Sequence, residues 1–147
     1  MLVQNAMSRD VKTVTPETSI KDAARLMADA DVGALPVAAG DRLAGMVTDR
    51  DIVVRAVAIG KGPATTVGEV MTHDVLYCHE DEDIGHISEN MAQNQVRRLP
   101  VVDVDKRLVG IISLADLADA RADEAGEALE GITRPGGARS QSIEGRA

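Results

Sequence analysis

The chain repeats itself once along its length, and this duplication restricts it to folds that are built from two similar units. Met7 aligns with Met71, an offset of 64 residues, and at the same offset Leu35-Pro36-Val37 recurs as Leu99-Pro100-Val101. The other matches are Val3 with Val67, Ile20 with Ile84, Met27 with Met91, Val32 with Val96 and, after one inserted residue, Arg42 to Gly45 with Arg107 to Gly110, Thr48 with Ser113 and Asp51 with Asp116. Because one register joins all these positions, the two copies are predicted to share one fold.

Each copy is predicted to form a strand, a helix, two strands and a helix, which places the chain in the α+β class. The helical face of the first copy consists of Ile20, Ala23, Ala24, Met27 and Ala28, and that of the second copy includes Ile84, Ile87 and Met91. The hairpin strands are predicted over Leu35 to Ala38 with Leu43 to Val47, and over Leu99 to Val102 with Leu108 to Ile112, and the closing helices near Asp49 to Ile59 and Leu114 to Arg121.

The boundary between the copies is predicted at the segment Gly60 to Ala64, because Gly and Pro end a helix and let the chain restart. We therefore assign residues 1–62 and 63–122 to the two repeats. A unit of about 60 residues buries little surface by itself, so two units are expected to pack sheet against sheet. Residues 123–147 are expected to form an extension of the last helix, over Ala122 to Gly131, followed by a polar tail.

Composition narrows the classes of function. The chain has no Trp, no Phe and one Tyr, so its core must come from aliphatic side chains and Met. A net charge of -8 argues against nucleic-acid binding, which normally requires clustered Lys and Arg. Apolar runs are broken by charges well before the roughly 18 residues that a membrane span needs. With a single cysteine and no secretory signal pattern, the protein is expected to be cytoplasmic.

Two short motifs lie between a predicted strand and a predicted helix: Thr48-Asp49-Arg50-Asp51 and Ser113-Leu114-Ala115-Asp116. A hydroxyl followed three residues later by an acid is typical of a helix N-cap, which is their structural interpretation. Enzyme activity is not expected, since no nucleophile, base and oxyanion-binding site can be assembled. Metal binding is not expected either: the spacing of His73, Cys78, His79 and His86 matches no common zinc signature.

The repeated Leu-Pro-Val, followed by Leu-x-Gly, two hydrophobic residues and [Thr/Ser]-x-x-Asp, resembles the cystathionine beta-synthase (CBS) domain, which occurs in tandem pairs. The resemblance runs from about Val3 to Arg121 and is greatest to short, stand-alone bacterial CBS-pair proteins. It implies a pseudo-two-fold pair of β-α-β-β-α repeats, with clefts between them that bind AMP, ADP, ATP or a related adenosyl compound. It also implies a non-catalytic sensor, a homodimer formed through the helices, and a protein partner that reads the ligand.

The resemblance further implies where each part of a nucleotide would bind. Asp51 and Asp116 would accept hydrogen bonds from the ribose hydroxyls, while Thr48, Ser113 and the adjoining helix N-termini would face phosphate. The remaining nucleotide-binding candidates are Lys12, Thr13, Thr15, Ala34, Leu35 and Pro36 in the first copy, and Val75, Leu76, Tyr77, Arg97, Arg98, Leu99 and Pro100 in the second. Tyr77 fits equally well as a ring contact to adenine or as an edge residue with its hydroxyl in water.

The copies differ where Gly33-Ala34 is replaced by Arg97-Arg98. Adjacent strand residues point to opposite faces, so at most one of these arginines should enter a cleft. If one binds phosphate, the second cleft should be the tighter site; otherwise the pair is an exposed basic patch. Lys12, Arg50 and Lys61 are weaker phosphate candidates for the first cleft. The alternative function is a ligand-free dimeric adaptor, since both motifs also work as simple caps.

Overall fold

The computed structural model describes residues 1–120, so the predicted helix extension and tail lie outside the described residues. The helices are α1 Val3–Ala6, α2 Ile20–Ala30, α3 Asp49–Arg55, α4 Val67–Val70, α5 Ile84–Asn94 and α6 Leu114–Ala120, and the strands are β1 Ala34–Ala39, β2 Arg42–Thr48, β3 Cys78–His79, β4 Arg98–Val102 and β5 Leu108–Ser113. This confirms the α+β class and both hairpins. Within residues 1–120, no helix is both long and apolar enough to span a bilayer.

The chain divides into two compact units. Among the described residues, the first unit is Lys12–Val75, and the second combines Met1–Val11 with residues 76–120. In the first unit, the antiparallel hairpin β1–β2 and helix α2 enclose an aliphatic core that includes Leu35, Val37 and Val47. In the second unit, β3, β4 and β5 form one sheet, and Leu99, Val101 and Ile112 lie in its core. Both cores contain aliphatic side chains and Met without Phe or Trp, as the composition requires.

The opening segment of each sequence repeat packs in the unit that contains the hairpin of the other repeat. In the first unit, the Val67 N–H donates to the Thr18 carbonyl at 2.7 Å, and Thr72 pairs with Met46 of β2. In the second unit, the Val3 N–H donates to the Glu82 carbonyl at 2.9 Å, and Ser8 pairs with Ile111 of β5. The compact units divide the chain near residues 11 and 75. The bounds 1–62 and 63–122 describe the repeats in sequence and stay a prediction.

These pairings explain the glycine of the repeated Leu-x-Gly motif. A Cβ at Gly45 would overlap the Thr72 carbonyl oxygen, and one at Gly110 would lie 2.8 Å from the Ser8 carbonyl oxygen. Real Cβ atoms do not approach backbone oxygen this closely, so the opening segment can pair with the hairpin only where the hairpin has no side chain. The motif glycine is therefore a packing requirement in both units.

The predicted helix over Asp49 to Ile59 is wrong in its length. Helix α3 ends at Arg55, Ala56 takes φ −127° and ψ −68°, and a separate 3-10 turn covers Val57–Ile59. Burial of Ala56 in the core bends the chain at this point, and Gly60, at φ +82°, then ends the turn. The first predicted strand of each copy is also short: only Cys78–His79 forms a strand, and the first copy has a single parallel bridge between Val14 and Val37.

Candidate functional site

The first motif caps the N-terminus of helix α3 with a reciprocal pair of hydrogen bonds. The Asp51 N–H donates to Thr48 Oγ1 at 3.0 Å, and the Thr48 N–H donates to Asp51 Oδ2 at 2.9 Å. Both residues are half-buried, and the Asp51 side chain is 13% exposed. The predicted N-cap is therefore present, and it fixes the direction in which the Asp51 carboxylate points.

The second motif has the same geometry at the start of α6. The Asp116 N–H donates to Ser113 Oγ at 3.1 Å, and the Ser113 N–H donates to Asp116 Oδ2 at 2.9 Å. In both copies the cap uses one carboxylate oxygen, Oδ2, and leaves the other, Oδ1, outside it. A carboxylate offers about four acceptor positions on its two oxygens, so each motif retains capacity to accept hydrogen bonds from a diol.

The two remaining oxygens have different surroundings. Asp51 Oδ1 lies 3.8 Å from Nε of Arg55, one helical turn further along α3, and Arg55 Nη1 also donates to the carbonyls of Val70 and Met71 at 3.3 Å. In the second copy the matching position is Ala120, which carries no charge. Sequence reasoning missed Arg55, although an acid followed by a base four residues later on a helix was the signal that could have found it.

The hairpin register places the start of each first strand beside the motif. Ala34 of β1 is directly opposite Thr48, and Arg98 of β4 is directly opposite Ser113. Residues opposite each other in a sheet share a face, so Arg98, rather than Arg97, is on the face of Ser113. This register decides which of the two arginine side chains shares a face with Ser113.

The other strand candidates divide between the two faces of each hairpin. Leu35 and Leu99 are each 1% exposed and belong to the cores, so only their backbone is available to a ligand. Pro36 and Pro100 are buried on the same face as Ala34 and Arg98. Arg97 is half-buried; its carbonyl accepts from the Leu114 N–H at 2.8 Å, and its Nε atom is buried.

The candidates that precede the helices fall within the matching units, with one exception. Lys12, Thr13 and Thr15 are exposed in the first unit, around the buried Val14, whose N–H donates to the Pro36 carbonyl at 3.2 Å. In the second unit Leu76 and Tyr77 are exposed, whereas Val75 is the last residue of the first unit. Each hairpin therefore lies in the same compact unit as most of the candidates assigned to its own copy.

Tyr77 contacts polar neighbours on the surface of the second unit. Its ring meets the His79 ring edge-on, with 5.7 Å between centroids, and Lys106 Nζ lies 5.5 Å from the centroid of the Tyr77 ring. A cation over the ring and a second ring at its edge both stabilise an aromatic side chain at an exposed position. The aromatic side chain therefore has partners of its own in the second unit.

The surroundings of Cys78 affect whether this thiol could act as a nucleophile or as a metal ligand. Burial raises the pKa of the Cys78 thiol to about 12, and the nearby Glu82 carboxylate adds to this effect. A thiol in this state is protonated at neutral pH, which disfavours it as a nucleophile or a metal ligand. Within residues 1–120, no group of three His, Cys, Asp or Glu side chains is arranged to hold a metal ion.

The repeats, their hairpins and the duplicated caps correspond to one family. A sequence model described as "CBS domain" matches residues 3–57 and again residues 67–123. The chain belongs to the CBS domain family. It is 42% identical over 133 residues to the CBS domain-containing protein YhcV of Bacillus subtilis, covering 89% of this chain and 94% of YhcV. The match therefore covers nearly the whole length of YhcV.

Solved structures of other CBS pairs are similar in fold. Hypoxic response protein I, solved with two coordinated zinc ions, is 38% identical, with a TM-score of 0.72 over 81% of this chain and 98% of that protein. CBSX2, solved with AMP, is 28% identical, with a TM-score of 0.74 over 83% of this chain and 96% of that one. The CBS pair of MJ0100, solved with 5′-methylthioadenosine and S-adenosyl-L-methionine, is 31% identical. Its TM-score is 0.69 over 82% of this chain and 98% of the MJ0100 pair. The predicted family is confirmed.

Proposed function

We propose that this CBS pair is a regulatory module that binds an adenosine-containing ligand of the AMP, ADP or ATP type at its Thr48/Asp51 and Ser113/Asp116 motifs. The observation that carries the proposal is the duplicated cap, in which the same carboxylate oxygen is fixed by a backbone amide and the other stays outside. A ribose has two adjacent hydroxyls, and such a pre-oriented carboxylate can accept hydrogen bonds from both.

Two further observations support the proposal. CBSX2 and the MJ0100 pair, which share this fold, were solved with adenosine-containing ligands. Ala34, a small and half-buried residue, lies on the same face as Thr48 and leaves room for a flat base beside the first motif. We expect the module to act in the cytoplasm and without catalysis of its own, through a protein partner that responds to the bound ligand.

The test is calorimetric titration of AMP, ADP and ATP into the wild type and into Asp51→Asn, Asp116→Asn and the double variant. Asparagine keeps an oxygen for the cap but replaces the second oxygen with an NH₂ group, so the helix start is preserved while the acceptor is lost. Each single substitution is expected to weaken one binding event by at least about tenfold, and the double variant to lose binding.

The matched control for these substitutions is Asp49→Asn, which changes an exposed acid of the same helical turn that is outside the reciprocal cap. It should leave binding unchanged. Undiminished binding in the double variant would contradict the ribose assignment. A ligand at 100 times its Kd would raise the free energy of unfolding by about 2.7 kcal/mol. If the wild type shows neither binding nor such stabilisation, the ligand-free adaptor is favoured.

We also propose that the chain forms a homodimer through the outer face of α3 and the turn that follows it. Val53 in α3 and Val57 in the 3-10 turn after it are 56% and 62% exposed, and Val54 and Ile59 are exposed in the same two elements. The matching residues of the second copy are mostly Ala and acidic, so the apolar surface belongs to the first copy. Exposed aliphatic surface of this kind favours burial against an identical surface across a two-fold axis.

Sedimentation analysis tests this interface. The double substitution Val53→Asp/Val57→Asp is expected to convert dimers to monomers, because it would bury like charges against each other. The control is Val104→Asp in the turn between β4 and β5, where the valine is 91% exposed and distant in sequence from α3. Dimers that persist in the α3 variant would rule out this face as the interface.

A further inference from the structure

We propose that Arg55 positions the Asp51 carboxylate for a ligand and ties this carboxylate to the segment Val70 to Thr72. Ligand binding at the first motif and attachment of that segment then strengthen each other. This inference rests on the proposed function and adds a regulatory property to one of the two motifs. Ala120, the matching residue of the second copy, has no group that could make these contacts.

The guanidinium of Arg55, the last residue of α3, contacts two separate parts of the first unit. On one side, Arg55 Nε lies 3.8 Å from Asp51 Oδ1. On the other side, Arg55 Nη1 donates hydrogen bonds to the carbonyls of Val70 and Met71, each at 3.3 Å. Because the guanidinium is planar and rigid, neither contact can shift without moving the other nitrogen. Arg55 therefore connects the first motif to the end of helix α4.

The segment that Arg55 holds is also bonded to the strand that carries the motif. The Thr72 N–H donates to the Met46 carbonyl at 2.8 Å, and the Met46 N–H donates to the Thr72 carbonyl at 3.0 Å. Met46 lies in β2, two residues before Thr48, whose N–H donates to Asp51 Oδ2. These contacts form a closed circuit through the motif, Arg55 and the segment, so a change at one point alters the others.

Arg55 leaves the Asp51 carboxylate able to accept hydrogen bonds from a ribose. A distance of 3.8 Å is too long for a hydrogen bond, so the lone pairs of Oδ1 stay available to hydroxyls. The guanidinium compensates the charge of an Asp51 side chain that is only 13% exposed, and it restricts the rotation of that side chain. An acceptor that is held in place before binding loses less freedom when the ligand arrives, which raises the affinity.

The coupling follows from this arrangement. Loss of the bonds to Val70 and Met71 would let the Arg55 side chain, which is 53% exposed, move into water, and the Asp51 carboxylate would lose its restraint. The ligand would then bind less tightly. Linkage is reciprocal, so a ligand that favours the restrained carboxylate strengthens the attachment of the segment by the same factor, typically about fivefold or more.

The first experiment is calorimetric titration of AMP, ADP and ATP in the Asp116→Asn background, which leaves only the first motif. In this background Arg55→Ala should weaken nucleotide binding by about fivefold or more. The matched control, Arg25→Ala, removes an exposed arginine of α2 in the same unit and should change the affinity by less than about twofold. In the Asp51→Asn background, where only the second motif remains, Arg55→Ala should leave the affinity unchanged.

Amide hydrogen exchange gives a readout that a merely structural role of Arg55 would not move. In the Asp116→Asn background, saturation with nucleotide should slow exchange of the peptide that contains Met71 and Thr72 by about fivefold. In Arg55→Ala at equal saturation, the ligand should leave this exchange unchanged. Arg55→Lys keeps the charge, but one ammonium group cannot reach both the carboxylate and the carbonyls, so it should lose the slowing even if Arg55→Ala fails to fold.

Two results would overturn the inference. One is a nucleotide affinity of the first motif that changes by less than about twofold in Arg55→Ala, and the other is equal slowing of exchange by the ligand with and without Arg55. In both cases Asp51→Asn would still weaken binding, so the proposed function would stand. If neither Asp51→Asn nor Asp116→Asn weakens nucleotide binding, the proposed function fails, and this inference fails with it.

Discussion

Replacement of Gly45 by alanine is expected to lower the free energy of unfolding by about 3 kcal/mol, the upper part of the range for overpacked sites. The added Cβ would overlap the Thr72 carbonyl oxygen, which accepts a hydrogen bond from the Met46 N–H. Neither strand β2 nor the segment at Thr72 can therefore move away without losing that hydrogen bond. Thermal unfolding should show a drop in Tm of about 10 °C for a chain of this size. Gly110→Ala should also destabilise the chain, because the Ser8 carbonyl oxygen is in the way.

Gly62→Ala is the control for this prediction. A Cβ at Gly62 meets no atom within 4 Å, and this glycine does not have the positive φ that marks Gly40 and Gly60. Its replacement should change the unfolding free energy by less than about 0.5 kcal/mol or stabilise the chain slightly. Equal effects of Gly45→Ala and Gly62→Ala would contradict the close pairing of the opening segment with the hairpin.

Substitution of Val3 by alanine is expected to loosen the hairpin of the opposite repeat. Val3 and Val67 hold the same position in the two sequence repeats and are both fully buried, Val3 in the second unit and Val67 in the first. Each replacement by alanine should cost about 2 kcal/mol, the scale for removal of buried methyl groups. Amide hydrogen exchange followed by mass spectrometry locates the effect.

For Val3→Ala, exchange should accelerate in β4 and β5, and for Val67→Ala it should accelerate in β1 and β2. Each variant serves as the control for the other, since the amino acids and their burial are identical. Faster exchange of the β1–β2 hairpin in Val3→Ala would contradict the division of the chain into these two units.

Local sequence patterns predict much of the fold. The hairpins and the two capped motifs depend on residues close together in sequence, where the hydrophobic period and the turn residues are decisive. The duplication is found by matching residue types between the two copies and needs no knowledge of tertiary contacts. The features that sequence missed depend on contacts between distant residues. The end of α3 at Arg55 follows from burial of Ala56, and the crowding at Gly45 follows from a segment more than 20 residues away. No local sequence pattern predicts either contact.

The same distinction applies to the candidate site. Asp51 and Asp116 could be selected from sequence because the hydroxyl and the acid are three residues apart. The choice between Arg97 and Arg98 could not, since it depends on which residue of β5 lies opposite in the ladder. Arg55 was predictable in principle from its spacing to Asp51, whereas its bonds to the carbonyls of Val70 and Met71 depend on tertiary structure.

The most direct test of the account is a crystal structure of this CBS pair grown with ATP. We predict ribose hydroxyls within hydrogen-bond distance of Asp116 Oδ1 while Asp116 Oδ2 keeps its bond from the Ser113 N–H. A nucleotide bound elsewhere, with Asp51 and Asp116 making only their cap hydrogen bonds, would contradict the claim that these carboxylates hold the sugar.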